Sequence, residues 1–278
     1  MPVDYRAPNI NARRLGLYLQ RAREFVELTY DEAAFVARCD VEWLIRVETG
    51  FASPAPDEVE RILTSYDVRE AEAADVMIDL ASRPDGPAWL ARHAPRMKAS
   101  TRDILISESE ASVVRTFGVQ LVPELARCET YFRRLEPEIH PDRDVDEEWD
   151  LLHHRQAYRA AGRPRVLDVI VDERALTLHV EPDVMAAQLR HLLDLGADPD
   201  TVVRVIPKRA AFYELRAHPF DLLEFPGVGD RLSLSHTALG TDFCPADLTG
   251  TWKFIEERSA LAPDRSRSHL LDLLAGLA

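Results

Sequence analysis

Among the side chains able to do chemistry in this 278-residue sequence, Cys128 and His236 form the pair with the clearest potential. An imidazole beside a thiol lowers its pKa and makes a thiolate nucleophile near neutral pH. The plainer alternative is a packed, inert thiol and a histidine on a strand surface. The same part of the chain offers polar groups suited to holding a small molecule: Arg127, Tyr131, His154, Arg155, Glu173 and Asp242. His153 and His154 are adjacent, so on a helix they diverge by about 100° and do not converge on one metal. Asp150 and His154, four residues apart, have the spacing of a helical ion pair as well as that of two ligands. There is no zinc spacing, phosphate loop, dinucleotide fingerprint or Gly-x-Ser-x-Gly elbow. No metal and no cofactor is expected.

The second kind of chemistry is electrostatic and lies between Leu28 and Gly50, LTYDEAAFVARCDVEWLIRVETG. A short helix, a tight turn and a second helix at this spacing make a helix-turn-helix, whose second helix enters the DNA major groove. Thr29 and Glu32 form a capping box for the first helix, and Gly50 ends the second. Base edges and phosphates call for Arg, Lys, Asn, Gln, Ser or Thr. The second helix instead opens with Asp40, Val41, Glu42 and Trp43. From Leu28 to Glu60 the acids Asp31, Glu32, Asp40, Glu42, Glu48, Asp57, Glu58 and Glu60 face only Arg38 and Arg46. A carboxylate ~5 Å from a phosphate adds repulsion of order 1 kcal/mol in water. The residues available to DNA are Arg13, Arg14, Tyr30, Val41, Trp43 and Arg46. Arg46 also has a structural reading beside Glu48. Trp43 is either an exposed anchor for another protein or an indole lying over the preceding helix.

Composition is that of globular material, 46% hydrophobic and 29% charged, with a formal net charge of −14. Such a charge repels nucleic acid unless basic residues cluster locally. The length accommodates a small module and a larger one, read as a helix-turn-helix domain over 1–68 and a ligand- or partner-binding domain over 69–278. Ala33, Ala34, Val36 and Ala37, then Val41, Leu44, Ile45 and Val47, supply the expected buried stripes of the motif. Helical periodicity recurs over 101–117, 125–135 and 147–161, the last behind an acidic run that suits a helix N-terminus. Then the period changes: 166–171 and 202–206 read as strands around a helix over 185–195. A hairpin over 220–225 and 232–235 and helices over 248–258 and 266–277 follow. The expected fold is mainly α: a five-helix N-terminal module, then a helical and mixed α/β domain with a small sheet.

In this order the elements resemble XRE-type (lambda-repressor-like) helix-turn-helix regulators of filamentous actinobacteria, which carry a large C-terminal domain of unknown function and are described as antitoxin-like. The resemblance rests on Arg13-Arg14-Leu15-Gly16, Leu28-Thr29, Arg46-Val47-Glu48-Thr49-Gly50 and Ser53-Pro54 in the first module. It continues through Leu121-Val122-Pro123, Tyr131, Arg155-Gln156, Asp172-Glu173 with Leu176, Gln188-Leu189, Ile206-Pro207, Pro219-Phe220 and Ser266-Arg267. It implies a regulator, often encoded beside a small partner protein. Where the family usually reads Gly-Leu-Leu-Gln-Thr after Val-Pro, this chain has Glu124-Leu125-Ala126-Arg127-Cys128. Where it tends to carry an aromatic residue and a glutamate near the later strands, Leu234 and His236 stand. Asp40, Val41, Glu42 and Trp43 occupy the usual Ser, Gln and Lys positions of the second motif helix.

Two functions follow as expectations. The first is a regulator-like homodimer that docks on DNA and binds a small molecule or small partner protein through its C-terminal domain. The second is a repurposed enzyme, for instance of specialised metabolism, that has lost DNA binding and carries its active site in that domain. A module that contacts only proteins is a third. No apolar run approaches the ~18 residues of a membrane span, so no membrane association is expected. Three widely spaced cysteines suit free thiols in a reducing, cytoplasmic setting.

Overall fold

The computed structural model describes residues 10–82, 86–93, 97–161, 165–177, 180–210, 218–226, 230–237 and 240–277. Two compact units divide at Ser107 and Glu108. The first contains α1 (Ile10–Phe25), α2 (Tyr30–Ala37), α3 (Val41–Glu48), α4 (Pro56–Ser65), α5 (Ala71–Ser82) and α6 (Leu90–His93), and the division falls within α7 (Ala99–Glu110).

The capping box forms as the sequence predicts. Thr29 Oγ1 accepts from the Glu32 amide and the Glu32 carboxylate accepts from the Thr29 amide at 2.9 Å. Arg38 then adopts a left-handed conformation, φ 52°, which reverses the chain between α2 and α3. Asp40 caps α3 by accepting from the Trp43 amide at 3.0 Å. Ala33, Ala34, Ala37, Leu44 and Val47 join Leu15 and Leu19 of α1 and Val59 and Ile62 of α4 in one core, which runs past residue 68 to include Met77 and Leu80 of α5. Gly16 lets α1 meet the end of α3: a Cβ there would lie 2.4 Å from the Val47 carbonyl oxygen. Val36 and Ile45, expected inside, are exposed. Leu44, Val47 and Glu48 take the buried face of α3, and Ile45 is turned about 100° from Leu44.

Glu48 is wholly buried and is tied to Arg23 of α1 by paired hydrogen bonds of 2.9–3.0 Å. Arg23 also donates to the Leu28 carbonyl at 2.9 Å, and the Tyr30 ring lies 4.0 Å from the guanidinium carbon. A buried charge is tolerated only when paired and hydrogen-bonded, and here the pair ties both motif helices to α1.

The second unit is built on a sheet of six strands among the described residues, ordered β3-β2-β1-β4-β5-β6. These are β1 (Val113–Gly118), β2 (Val166–Asp172), β3 (Thr201–Ile206), β4 (Phe220–Glu224), β5 (Arg231–Thr237) and β6 (Gly240–Cys244). β1, β2 and β3 run parallel; the β1–β4, β4–β5 and β5–β6 pairs are antiparallel. Around them lie α8 (Glu129–Ile139), α9 (Val145–Ala161), α10 (Glu173–Leu176), α11 (Pro182–Leu195), α12 (Thr249–Arg258) and α13 (Pro263–Ala275).

Three expectations need correction. The helix read over 101–117 stops at Glu110, and Val113–Gly118 is a central strand. Its β-branched and aromatic residues pair on both sides, which outweighs a helical period that the apolar positions also fit. The helix read over 125–135 begins only at Glu129, after a 3₁₀ turn at Glu124–Ala126. The sheet gains β6 as well, whose Gly-Thr-Asp-Phe-Cys run carries no strong strand signal.

One sheet face packs Phe117, Ile170, Ile206, Phe220 and Leu222 against Trp252 and Ile255 of α12. The same face carries an ionic ladder, Glu224–Arg115–Asp168–Arg204–Glu256. The outer side of β3 is closed by α13, because the Val205 amide donates to Ser266 Oγ at 3.0 Å and its carbonyl accepts from Leu261. No helix among the described residues is long and apolar enough to cross a membrane.

Glu48→Ala should cost about 3 kcal/mol in urea unfolding, because Arg23 is left buried without its partner. Glu42→Ala, on the exposed side of the same helix, should change stability by less than about 0.5 kcal/mol.

Candidate functional site

β1, β2 and β3 present their carboxyl ends along one edge of the sheet, where open α/β sheets bind ligands. Beyond β1 the chain turns sharply: a Cβ on Gly118 would lie 2.5 Å from the Leu121 carbonyl oxygen and 2.7 Å from the Pro123 ring. The segment that follows is buried at Val122, Leu125 and Ala126 yet lacks repeating hydrogen bonds. Side chains therefore satisfy its backbone. Arg127 Nε donates to the Val122 carbonyl at 2.7 Å, and Tyr131 Oη accepts from the Val122 amide at 3.4 Å. Gln188, fully buried on α11, accepts from the Cys128 amide at 2.9 Å and donates to the Ala126 carbonyl at 2.8 Å. Gln156 of α9 donates to the Arg127 carbonyl at 2.9 Å.

This loop places Glu124 against Arg155, which bridges it at 2.6 Å to Glu108 at 2.7 Å. Burial alone would raise the Glu124 pKa, but the guanidiniums of Arg155 and Arg127 bring it down to about 2. Beside them, His236 of β5 faces Thr241 of β6 across the strand pair, with Nδ1 2.8 Å from Thr241 Oγ1. Its Nε2 lies 2.9 Å from Asp221 Oδ2 on β4. Burial would lower the His236 pKa, yet Asp221 outweighs it and the net shift is upward, with Glu124 adding to it and Arg127 opposing it. The result is an imidazole fixed in orientation and biased toward its charged form, set among ionised groups.

The sequence-derived ligand residues separate into groups. Arg127, Arg155 and His236 share this neighbourhood, and Tyr131 and Cys128 flank it at the start of α8. Both ring nitrogens of His236 are engaged by Asp221 and Thr241, which leaves neither for Cys128. Burial pushes the Cys128 thiol up, away from thiolate. His154 makes an i,i+4 contact with Asp150, 3.5 Å to its carboxylate and 2.7 Å to its carbonyl. Glu173 stands after β2, where it meets His269 at 3.1 Å and the Lys208 amide at 3.0 Å. Asp242 pairs with Ser235, one residue out of phase with His236–Thr241, and so lies on the other sheet face. Glu108, Glu124, Asp221, Thr241, Gln156 and Gln188 were not among the expected residues. Asp221 was reachable, since pairing the predicted hairpin strands sets it diagonal to His236 on one face.

The residues expected at DNA also divide. Arg13 is exposed, 3.9 Å from Asp103, whereas Arg14 is buried at 5% exposure. Tyr30 lies under Arg23. Val41 and Trp43 are half-buried against the module core, so the indole covers that core. Arg46 is half-buried, and its carbonyl accepts from the Phe51 and Ala52 amides. The exposed surface of α2 and α3 carries Asp31, Glu32, Phe35, Val36, Glu42 and Ile45, with Asp40 exposed at the cap of α3.

Gln188→Leu should cost about 2–3 kcal/mol, because the Cys128 amide and Ala126 carbonyl lose buried partners; chemical unfolding reads it. His236 should titrate above its ordinary value of about 6.5. Its contribution to stability is therefore complete below about pH 6.5 and lost as pH rises through the folded-state value. In an NMR titration, Asp221→Asn should bring the His236 pKa down and remove that pH dependence.

Residues 14–76 match a helix-turn-helix domain family, and residues 101–272 match a domain of unknown function, DUF5753. No curated protein and no solved structure matches the chain. The architecture expected from the sequence, an XRE-like helix-turn-helix followed by a C-terminal domain of unknown function, is the one found. With the larger match covering most of its length, the chain belongs to the DUF5753 family and carries that domain behind an N-terminal helix-turn-helix.

Proposed function

We propose that this regulator-like protein uses its helix-turn-helix, as a homodimer, to meet a protein surface in preference to a DNA groove, and that its C-terminal domain receives a small ligand or a partner protein. The observation that carries the first part is the solvent face of the motif. Glu42 and Ile45 form the exposed stripe of α3, with Thr49 exposed at its C-cap, and Phe35 of α2 is 85% exposed. Phe25 and Phe51, at the ends of α1 and α3, are exposed by 89% and 64%. Exposed phenyl rings suit a protein contact, and the carboxylates oppose a polyanion. The candidate site at the carboxyl edge of β1 supports the second part: Asp221 Oδ1 is buried without a hydrogen-bond partner among the described residues, on the carboxylate that holds His236, whose charge Glu124 and Arg127 also influence. An enzyme using Cys128 as nucleophile is not favoured, because Asp221 and Thr241 engage both ring nitrogens of His236 and burial pushes the thiol up.

A mobility shift on the protein's own upstream DNA, titrated with salt, tests the reading. Little retarded DNA is expected even at low salt. Asp40→Asn with Glu42→Gln keeps the cap but removes two charges, and should strengthen retention. Tight wild-type binding with a salt slope corresponding to about six or more phosphate contacts would overturn the reading.

A further inference from the structure

A cleft of about 110 Å³ lies at the amino end of β3, between α11 and the first turns of α13. This is the opposite edge of the sheet from His236. Its walls include Leu192, Val203 and Leu270, all buried. Three polar residues line it as well: Thr201, Asp264 and Arg267. Thr201 is 4% exposed, and its hydroxyl oxygen is buried without a hydrogen-bond partner among the described residues. Native proteins seldom leave such a group unsatisfied without a functional reason or a bound molecule. Arg267 is solvent-exposed and, among the described residues, donates one long hydrogen bond, 3.4 Å to the Leu193 carbonyl, which uses one of its five N–H groups. Asp264 stands in the first turn of α13, whose N-cap residue, Ala262, makes no side-chain cap.

The cleft thus combines an apolar wall, one cation, one anion and an unsatisfied hydroxyl. A carboxylate pairs with a guanidinium fork and is further favoured at a helix N-terminus. Asp264 opposes a simple anion there but complements a ligand that also carries an ammonium group. The volume is below the ~150 Å³ of a cavity that holds benzene, which limits the side chain to a few heavy atoms. We propose that this cleft binds an α-amino acid with a short uncharged side chain. Its carboxylate lies on Arg267, its ammonium faces Asp264, and its side chain packs on Leu192, Val203 and Leu270 beside Thr201.

Isothermal titration of the full chain with L-valine, L-threonine, isobutyrate and isobutylamine tests this. Saturable binding of the amino acids, and weaker or no binding of the two single-charge analogues, is expected. Arg267→Gln, a surface change, should weaken amino-acid binding about tenfold or more, the loss of a charge-assisted contact. Thr201→Val, nearly isosteric, should weaken L-threonine more than L-valine. Isobutyrate binding as tightly as L-valine, an Arg267→Gln protein that binds unchanged, or no heat from either amino acid with a folded protein, would each overturn the proposal.

Discussion

The C-terminal unit depends on one constraint: the chain from Val119 to Cys128 is irregular but largely buried, so its buried backbone groups must find partners within the protein. Ladder hydrogen bonds satisfy β1 before it, and α8 after it satisfies its own backbone. Here the work falls to side chains from three separate helices and from the segment itself. Gln188 holds both sides of the 3₁₀ turn, Gln156 holds the Arg127 carbonyl, and Arg127 and Tyr131 hold Val122. Because these partners come from α8, α9 and α11, the conformation of the loop depends on where those helices pack. Its rigidity then sets where Glu124 and Arg127 stand relative to Arg155 and His236.

Several residues that carry the family resemblance find their reason in this constraint. Tyr131, Gln156 and Gln188 close the hydrogen bonds of that loop. Ser266 does similar service at the edge of β3, where its hydroxyl accepts from the Val205 amide and donates to the Leu261 carbonyl. In the first unit, Gly16 is required by the approach of α1 to the Val47 and Glu48 carbonyls, and Glu48 by its buried bond to Arg23. Of the motif residues, Glu48, Tyr131, Gln156, Gln188 and Ser266 serve buried polar groups. The residues that depart from the family pattern, such as Glu124, Arg127 and His236, lie in the charged neighbourhood itself.

Charge has different consequences in the two units. In the helix-turn-helix, the single buried acid is neutralised by Arg23, while Asp31, Glu32, Asp40 and Glu42 remain in solvent, two of them serving as helix caps. Capping needs only a local acceptor, so an acid at Glu32 or Asp40 stabilises its helix whatever the surface later meets. In the C-terminal unit, acids and bases alternate across strands and loops, from the ladder on one sheet face to the Glu108–Arg155–Glu124 bridge. In these two networks each carboxylate is positioned by a partner distant in sequence.

Local order was legible from the residues alone. The capping box at Thr29, the turn before Asp40, the small residues of α2, the two parallel strands of β-branched residues and the hairpin all depend on neighbours within a few positions, so their signals survive in a linear reading. The acidity of the motif surface was legible for the same reason, since exposed charges need no partner to be where they are. Tertiary structure decided the rest. Val113–Gly118 became a strand because β2 and β4 pair with it, and Ile45 turned outward because Glu48 claimed the buried face through Arg23, twenty-five residues away. His236 was joined to Asp221 and Thr241 rather than to Cys128 by strand register and by a folded loop. Periodicity records which side of an element is apolar; only packing determines which element, and which distant charge, comes to lie against it.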